Sequence, residues 1–342
     1  MNSSIEDYLK LITPHFHPDL ISPKVLSHIQ ELEPLLSPFC EQLFECRLGA
    51  DQTQVDFSFY LPQLTKSLPE KFLIHPVWQA FENFYWKWVD PTSSLHQGVK
   101  AIGMEFDLDK SPSPVPIPCI FWELALVTNN QFHELMATAL NLLNYPISPL
   151  VKSNLRLCAN SLPDGARFSH FAVMLSRPGQ GVRVNAIDIP PEQLLDYLGQ
   201  IGWSDPTNTL SPLVCKLSEL VDYIVLAFDM GEMIYPRIGL ECYLRKQPRY
   251  EPRWDLFLDT LVDWGLSTRA KRDAIITWPG IYRDKSYLNE LKTGKLSWES
   301  VFKQSMYSVY WRTINHIKIV YKPGHCLEAK GYLASRHHWL AF

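Results

Sequence analysis

Charged and aromatic side chains alternate with apolar ones along several stretches of this 342-residue chain, as in β-strands with one polar face. In the stretch 237–245, Arg237, Glu241 and Tyr243 share one face, and the opposite face is apolar. The other polar faces carry Asp56, Ser58 and Tyr60, then Arg183 and Asn185, then His316, Lys318 and Lys322, and finally Glu328, Lys330 and Tyr332. A half-buried sheet with its polar face in water explains any one of these strands. Around a concave site, the same groups would be costly to bury unless a ligand or one another satisfied them.

A short sequence motif recurs in the two halves of the chain. Residues 102–107 end in Phe-Asp and lead, through an irregular connection and a proline, to a second strand that carries Glu123. Residues 224–229 also end in Phe-Asp and lead in the same way to a strand that carries Glu241. Repetition on this scale decides the interpretation of a whole fold. It predicts an internal duplication, with copies at about 100–188 and 222–334.

The elements that would position these side chains follow a regular order. Residues 1–46 predict an N-terminal helical segment, with one helix from Pro23 and another through Phe39–Phe44. Residues 47–342 predict one domain of five units, each with two strands and then a helix. Residues 282–310 are interpreted as an insertion in the second half.

Five such units supply ten strands. The pattern therefore predicts an α+β protein, with repeated ββα units that close a single antiparallel ten-stranded β-barrel surrounded by helices and leave no exposed strand edge. The alternative is a pair of duplicated α+β sandwich halves, each with its helices on one face of an antiparallel sheet. In the barrel, the helices cover the apolar outer face, so the polar face becomes an enclosed lumen.

Composition excludes several broad classes of protein. With a formal net charge of −4, the chain lacks the excess of basic residues that is typical of nucleic-acid-binding proteins. No apolar run approaches the roughly 18 residues that span a bilayer. The first residues lack the basic and apolar stretches of a signal peptide, and the seven cysteines have no paired spacing, so we expect a cytoplasmic, reduced protein. No Cys-x-x-Cys or His-Glu-x-x-His motif is present, which argues against a dedicated zinc site.

The repeated hairpin-plus-helix units, with arginine, lysine and tyrosine alternating along the strands, resemble the ABBA-type prenyltransferases. This PT-barrel family includes aromatic prenyltransferases and peptide-modifying enzymes. The resemblance is one of pattern across most of the chain, and its nearest local match is Lys318-Ile-Val-Tyr321. It implies an enzyme with a ten-stranded barrel, whose lumen holds an allylic diphosphate beside an aromatic or peptide acceptor.

The resemblance also implies roles for the polar residues of the strands. Loss of the diphosphate leaves an anion that lysine and arginine neutralise, and a carbocation that aromatic faces stabilise. The diphosphate ligands implied in this way are Arg183, Arg237, Lys318 and Lys330, with Tyr243 and Tyr332 as shields or further donors. Glu105 or Glu241 would accept the proton of the acceptor as the new bond forms. No protein ligand for a metal is assigned, although Mg²⁺ could bridge carboxylates to the phosphate.

Acidic residues recur at matching positions of the two halves and favour functions of the lumen other than diphosphate binding. These residues are Asp107, Asp229, Glu123 and Glu241. They could bind a cationic peptide side chain, and the two aspartates could instead cap turns at the ends of their strands. The competing function is therefore a non-catalytic protein that binds a peptide or a partner protein, as an accessory to peptide modification. The two functions differ in where the basic residues lie. Convergence in one enclosed cavity supports the enzyme, and dispersal over an open sheet supports binding.

Overall fold

The computed structural model describes residues 12–32, 41–61, 68, 70–108, 115–177, 181–283 and 306–341. The strands are β1 (Glu41–Arg47), β2 (Val55–Tyr60), β3 (Val99–Asp107), β4 (Cys119–Leu124), β5 (Arg167–Val173), β6 (Val182–Ile187), β7 (Tyr223–Met230), β8 (Ile234–Tyr243), β9 (Gly280–Arg283), β10 (Met306–Tyr321) and β11 (Glu328–Ala341). The α-helices span Pro23–Glu31, Glu70–Leu73, Pro76–Val89, Ser94–Gly98, Asn129–Leu142, Pro149–Asn160, Leu194–Gln200, Leu210–Leu220, Arg253–Asp263 and Arg269–Thr277. Short 3₁₀ helices span Thr13–His15, Pro191–Gln193 and Pro248–Tyr250.

Ten of these strands close into one antiparallel barrel. From β1 to β8, and then through β10 to β11, each strand pairs with the next, and β11 also pairs with β1. Val184 of β6 stands opposite Phe228 of β7, which joins the two halves of the chain in one sheet. Phe44 of β1 stands opposite Leu333 of β11, and this pairing closes the ring. The closed ten-stranded barrel predicted from the sequence is confirmed, and the alternative of two separate sandwiches is wrong.

The apolar core lies between the barrel and the helices around it. On β4, Ile120, Trp122 and Leu124 are buried on the outer face of the sheet. The helix Pro76–Val89 covers this face, and the ring of its Phe84 lies 5.4 Å from that of Trp122. Burial of each such side chain contributes roughly 1.5–3 kcal/mol. Because the helices keep the apolar faces of the strands from water, the polar faces are left to line the lumen.

The first strand lies where the sequence pattern predicts a helix. The predicted helix through Phe44 is wrong, because Glu41–Arg47 forms β1 between β2 and β11. Nearly every residue of β1 is buried, so the strand lacks the alternation of buried and exposed residues that marks an ordinary sheet strand. The predicted helix from Pro23 is present, and the hydroxyl of Ser22 accepts a hydrogen bond from the amide of Val25 at its start. The first strand of the barrel therefore spans Glu41–Arg47.

β9 lies at the start of the predicted insertion, outside the ring of ten strands. It pairs with the first part of β10, with Gly280 opposite Arg312. Most of the predicted insertion, at 284–305, lies outside the described residues. The domain boundaries and the internal duplication stay predictions. None of the described helices combines the length and the hydrophobicity needed to cross a membrane.

Candidate functional site

The polar faces of the strands surround two adjoining cavities inside the barrel, with volumes of about 490 Å³ and 370 Å³. All eight residues singled out from the sequence line them: Glu105, Glu241, Tyr243 and Tyr332 line the larger cavity, Arg237 and Lys330 the smaller, and Arg183 and Lys318 both. The four basic residues therefore meet in one lumen rather than spread over an open sheet. We call the larger space the aromatic cavity. The smaller is the hairpin-end cavity, because its residues flank the connections between paired strands.

The hairpin-end cavity carries more basic than acidic groups. Its lining, among the described residues, contains six basic side chains, Arg47, Arg177, Arg183, Arg237, Lys318 and Lys330, and four acidic ones, Glu45, Asp56, Asp107 and Asp229. A cleft lined by an excess of one charge focuses the field on a ligand of the opposite charge. This half of the lumen is therefore suited to a polyanion.

Arg183 and Asp229 form a bidentate ion pair across β6 and β7. Nε of Arg183 lies 2.7 Å from Oδ1 of Asp229, and Nη2 lies 3.0 Å from Oδ2. The two residues stand directly opposite each other in the register of these strands. Burial opposes ionisation of Asp229, but the guanidinium outweighs burial and lowers its pKa. Asp229 is therefore a buried anion paired with a cation of the lumen.

Glu241 of β8 is held from two sides. Nζ of Lys318 donates a 3.0 Å hydrogen bond to its Oε1, and the amide of Asn185 donates to both of its oxygens at 3.0 Å. Burial opposes ionisation, but the charge of Lys318 prevails and the pKa of Glu241 falls to about 2. The pairing with Lys318 therefore keeps Glu241 ionised, and the base role predicted for it stays a prediction.

Lys330 and Tyr332 of β11 both bind Glu45 of β1. Nζ of Lys330 lies 2.5 Å from Oε1 of Glu45, and the hydroxyl of Tyr332 donates to Oε2. Burial opposes ionisation of Glu45, but the charges of Lys330 and Arg47 lower its pKa. Burial and the charge of Glu45 raise the pKa of Tyr332 well above its usual value. Tyr332 therefore stays neutral and acts as a hydrogen-bond donor.

Three carboxylates, those of Asp56, Glu105 and Asp107, meet at the hairpin end. One oxygen of each lies within 4.8 Å of the others, and such an oxygen set suits Mg²⁺. The guanidinium of Arg177 lies among them, with Nη2 donating to Glu105 at 3.1 Å and Nε donating to Asp107 at 3.0 Å. Burial, together with the charges of Glu45 and Glu105, raises the pKa of Asp56 to about 7. The triad therefore offers oxygen ligands for a metal ion, but arginines of the same chain already bind it, Arg177 at Glu105 and Asp107 and Arg47 at Asp56.

Stacked rings form one wall of the aromatic cavity. The rings of Tyr223 and Tyr243 are nearly parallel, with centroids 4.8 Å apart. The imidazole of His316 lies 4.7 Å from the ring of Tyr243 and 4.0 Å from that of Tyr332. The faces of such rings attract cations. This half of the lumen is therefore suited to an aromatic group or to a delocalised cation.

Comparison with protein-family models and with curated proteins finds no match. Among solved structures, 5-dimethylallyltryptophan synthase from Streptomyces coelicolor is 11% identical, with a TM-score of 0.51 over 97% of this chain and 98% of that one. The prenyltransferase PriB, in a ternary complex with L-tryptophan and dimethylallyl thiolodiphosphate, is 11% identical, with a TM-score of 0.50 over 92% of this chain and 90% of the other. The chain has the fold of the ABBA-type prenyltransferases.

The lumen of this PT barrel also contains groups that sequence reasoning missed. Glu45 was missed because its strand was predicted as helix. Arg177 lies a few residues after β5, outside the alternating strands, and received no predicted role. His316 was placed on a polar face by the alternation but was given no role. For Glu45 and Arg177, the missing information was the pairing of distant segments, which no local pattern contains.

Proposed function

We propose that this protein is a prenyltransferase that moves an allylic isoprenoid from its diphosphate to an aromatic acceptor. The diphosphate would lie in the hairpin-end cavity, and the acceptor would lie in the aromatic cavity. The observation that carries the proposal is the division of one lumen into an end with excess basic groups and an end walled by stacked rings. The fold adds support, since PriB was solved with L-tryptophan and dimethylallyl thiolodiphosphate, and the synthase with DMASPP and Trp.

Arg183 and Lys318 line both cavities, so they lie where the bond between the isoprenoid and the diphosphate would break. The breaking C–O bond leaves its electron pair on a phosphate oxygen, and fixed cations beside that oxygen stabilise the developing charge. A guanidinium is suited to this task because its planar fork binds two phosphate oxygens at once. Both cations are paired, with Asp229 and Glu241. The diphosphate must therefore share or displace these carboxylate partners.

The allylic cation would lie against the rings of Tyr243 and Tyr332. Burial and the charges of nearby carboxylates raise the pKa of both phenols well above the usual value. The two side chains therefore remain neutral at physiological pH. Neutral ring faces stabilise a carbocation, whereas a phenolate oxygen would capture it.

Mg²⁺ is a further part of this proposal rather than a requirement of it. Asp56, Glu105 and Asp107 would hold the ion in competition with Arg177, and its charge would help to neutralise the diphosphate. An aromatic side chain of a peptide would suit the aromatic cavity as well as a free amino acid does. The non-catalytic alternative is less well supported, because the basic residues converge in the lumen instead of lying on an open face.

Calorimetric titration with dimethylallyl thiolodiphosphate, with and without Mg²⁺, tests the donor half of the proposal. We expect micromolar binding by the wild type and roughly tenfold weaker binding by Arg237→Gln, which removes a half-exposed cation of the hairpin-end cavity. Lys216→Gln, which removes an exposed cation from an outer helix, should bind as the wild type does. Absence of binding by the folded wild type under both conditions contradicts the proposal.

Mass spectrometry tests the transfer step. The protein is incubated with dimethylallyl diphosphate and with L-tryptophan, L-tyrosine or short peptides that contain one aromatic residue. We expect a product in which one dimethylallyl group replaces one hydrogen of the acceptor. Release of diphosphate without transfer to any of these acceptors would show that the acceptor class is wrong.

A further inference from the structure

His316 of β10 lies between two tyrosine rings in the wall of the aromatic cavity. Its imidazole lies 4.7 Å from the ring of Tyr243 and 4.0 Å from the ring of Tyr332, in a stacked arrangement with the second. The residue is 5% exposed, yet it belongs to the lining of the cavity. The two flanking rings fix the plane of the imidazole, so its nitrogens have defined positions.

The two nitrogens of this imidazole differ in their partners. Nδ1 lies 2.7 Å from Oδ1 of Asn315, and an amide oxygen only accepts hydrogen bonds, so Nδ1 carries the proton. Nε2 then holds a lone pair, and this buried atom has no hydrogen-bond partner. Buried polar atoms are nearly always paired in native proteins, and an unpaired one calls for a functional explanation.

Other basic groups of the same cavity are already engaged. Both nitrogens of His170 have partners, Tyr60 at 3.3 Å and Ser169 at 3.1 Å. Both oxygens of Glu241 have partners, since Lys318 donates to one of them and the amide of Asn185 donates to both. Among the described residues that line the aromatic cavity, His316 thus offers a neutral nitrogen whose lone pair has no partner.

On the basis of the prenyl transfer proposed above, we propose that Nε2 of His316 accepts the proton that the acceptor loses during that transfer. The acceptor atom forms a bond to the allylic carbon as the C–O bond to the diphosphate breaks, and the diphosphate takes the electron pair of that bond. The proton of the acceptor atom moves to Nε2 and leaves an imidazolium. The neighbouring tyrosine rings and the carboxylate of Glu241 stabilise that cation.

The protonation state of His316 at rest suits this role. Burial lowers its pKa to about 4, so the imidazole is neutral and its lone pair is free at pH 7. The charged and titratable groups that act on it are Glu241 on β8, Glu45 on β1, Lys318 on β10 and His170 on β5, and the phenols of Tyr243 and Tyr332 pack against it. The two carboxylates favour the imidazolium, and the lysine opposes it.

Replacement of His316 by phenylalanine removes the nitrogen and keeps a ring between the two tyrosines. We expect His316→Phe to bind dimethylallyl thiolodiphosphate as the wild type does and to lose roughly a hundredfold in kcat. The wild-type kcat should fall below about pH 5 as the imidazole is protonated, and this acidic limb should be absent from the residual activity of the variant. His316→Gln is the second variant and replaces His316→Phe if the latter does not fold. Glutamine is neutral and takes no proton, so we expect the same loss of kcat and the same absence of the acidic limb.

Nitrogen-15 NMR of the histidines provides a readout that does not depend on activity. The proposal requires a neutral ring at pH 7 with the proton on Nδ1, and a signal for a protonated Nε2 of His316 would overturn it. Full kcat in a folded His316 variant of an active enzyme would also overturn it and would leave the prenyltransferase function intact. A wild-type protein that neither binds the donor analogue nor forms product would instead remove the proposed function, and this inference with it.

Discussion

Gly239 of β8 and Lys318 of β10 lie on neighbouring strands, and the lysine side chain crosses the space that a Cβ on Gly239 would occupy. Lys318 stands directly opposite Glu241 in the register, two residues along β8 from the glycine. Because Gly239 has no side chain, the side chain of Lys318 can pass over it and line both cavities of the lumen.

Gly239→Ala should displace Lys318 and weaken its 3.0 Å hydrogen bond to Glu241. Gly239 does not have a positive φ, so the effect of alanine is steric rather than backbone strain. We expect the affinity for dimethylallyl thiolodiphosphate, measured by calorimetry, to fall roughly tenfold, about 1.4 kcal/mol. Gly331→Ala on β11 is the matched control, because its Cβ would face Ile275 at 3.3 Å outside the lumen. Equal affinities of the two variants would contradict this account.

Glu241→Gln should change how stability depends on pH. The pKa of Glu241 falls from 4.5 to about 2 in the folded protein. Its carboxylate therefore contributes stability that is fully present above pH 4.5 and is lost as the pH falls toward 2. We expect the free energy of unfolding at pH 7 to drop by about 3 kcal/mol in the variant, because Lys318 is left buried without its anion. Below pH 4.5, stability should fall less steeply in the variant than in the wild type.

Urea denaturation at a series of pH values measures both effects. Glu219→Gln is the control, because Glu219 is 61% exposed and its ion pair with Lys216 contributes little. The control should follow the wild-type curve at every pH. Parallel curves for Glu241→Gln and the wild type would show that the pKa of Glu241 is not lowered by folding.

The faces of the strands could be predicted from sequence because alternation has a physical cause. Successive side chains of a strand point to opposite faces, so Arg183, Glu241 and Lys318 reach the same lumen once the sheet closes. The closed barrel was predicted from the number of strands, because five repeated units with two strands each supply ten. This part of the prediction needed no knowledge of which strands pair.

The partners of these residues could not be predicted, because they come from distant parts of the chain. Glu45 binds Lys330, which lies 285 residues away in sequence, and Arg177 binds Asp107 across 70 residues. β1 was misread because it is buried on both faces, so no period of two or of 3.6 distinguishes strand from helix. Its extended form follows from pairing with β2 and β11 rather than from its own residues.

Arg177→Met should make the triad of Asp56, Glu105 and Asp107 responsive to Mg²⁺. Without the guanidinium, three carboxylates with oxygens within 4.8 Å of one another repel, so the variant should be less stable than the wild type in the absence of metal. A bound divalent ion would relieve that repulsion, and binding to the folded state alone raises the melting temperature. We expect millimolar Mg²⁺ to raise the melting temperature of the variant by several degrees and that of the wild type much less.

A double variant, Arg177→Met with Asp107→Asn, is the control for that experiment. It removes one of the three carboxylates, so its response to Mg²⁺ should be smaller than that of Arg177→Met. Equal shifts in the wild type and in Arg177→Met would mean that the arginine does not compete with the metal at this triad.

Arg312 is a buried cation that has no ion pair in the described parts of the chain. It is 9% exposed on β10, and its Nε and Nη1 have no hydrogen-bond partner. Its guanidinium lies 5.4 Å from the centre of the Trp278 ring, a contact that offsets only part of the cost of desolvation. Burial lowers the pKa of Arg312 to about 10, so the side chain is still charged at pH 7.

Arg312→Met should therefore raise the free energy of unfolding, by about 1–4 kcal/mol, because methionine fills a similar space without a charge to desolvate. Arg272→Met is the matched control: that arginine is also largely buried, but it binds Asp255 at 2.5 Å and Asp259 at 2.9 Å. Its replacement breaks these pairs and should lower stability. Urea denaturation at pH 7 compares the two variants with the wild type. A loss of stability in Arg312→Met as large as that in Arg272→Met would mean that Arg312 has a stabilising anionic partner.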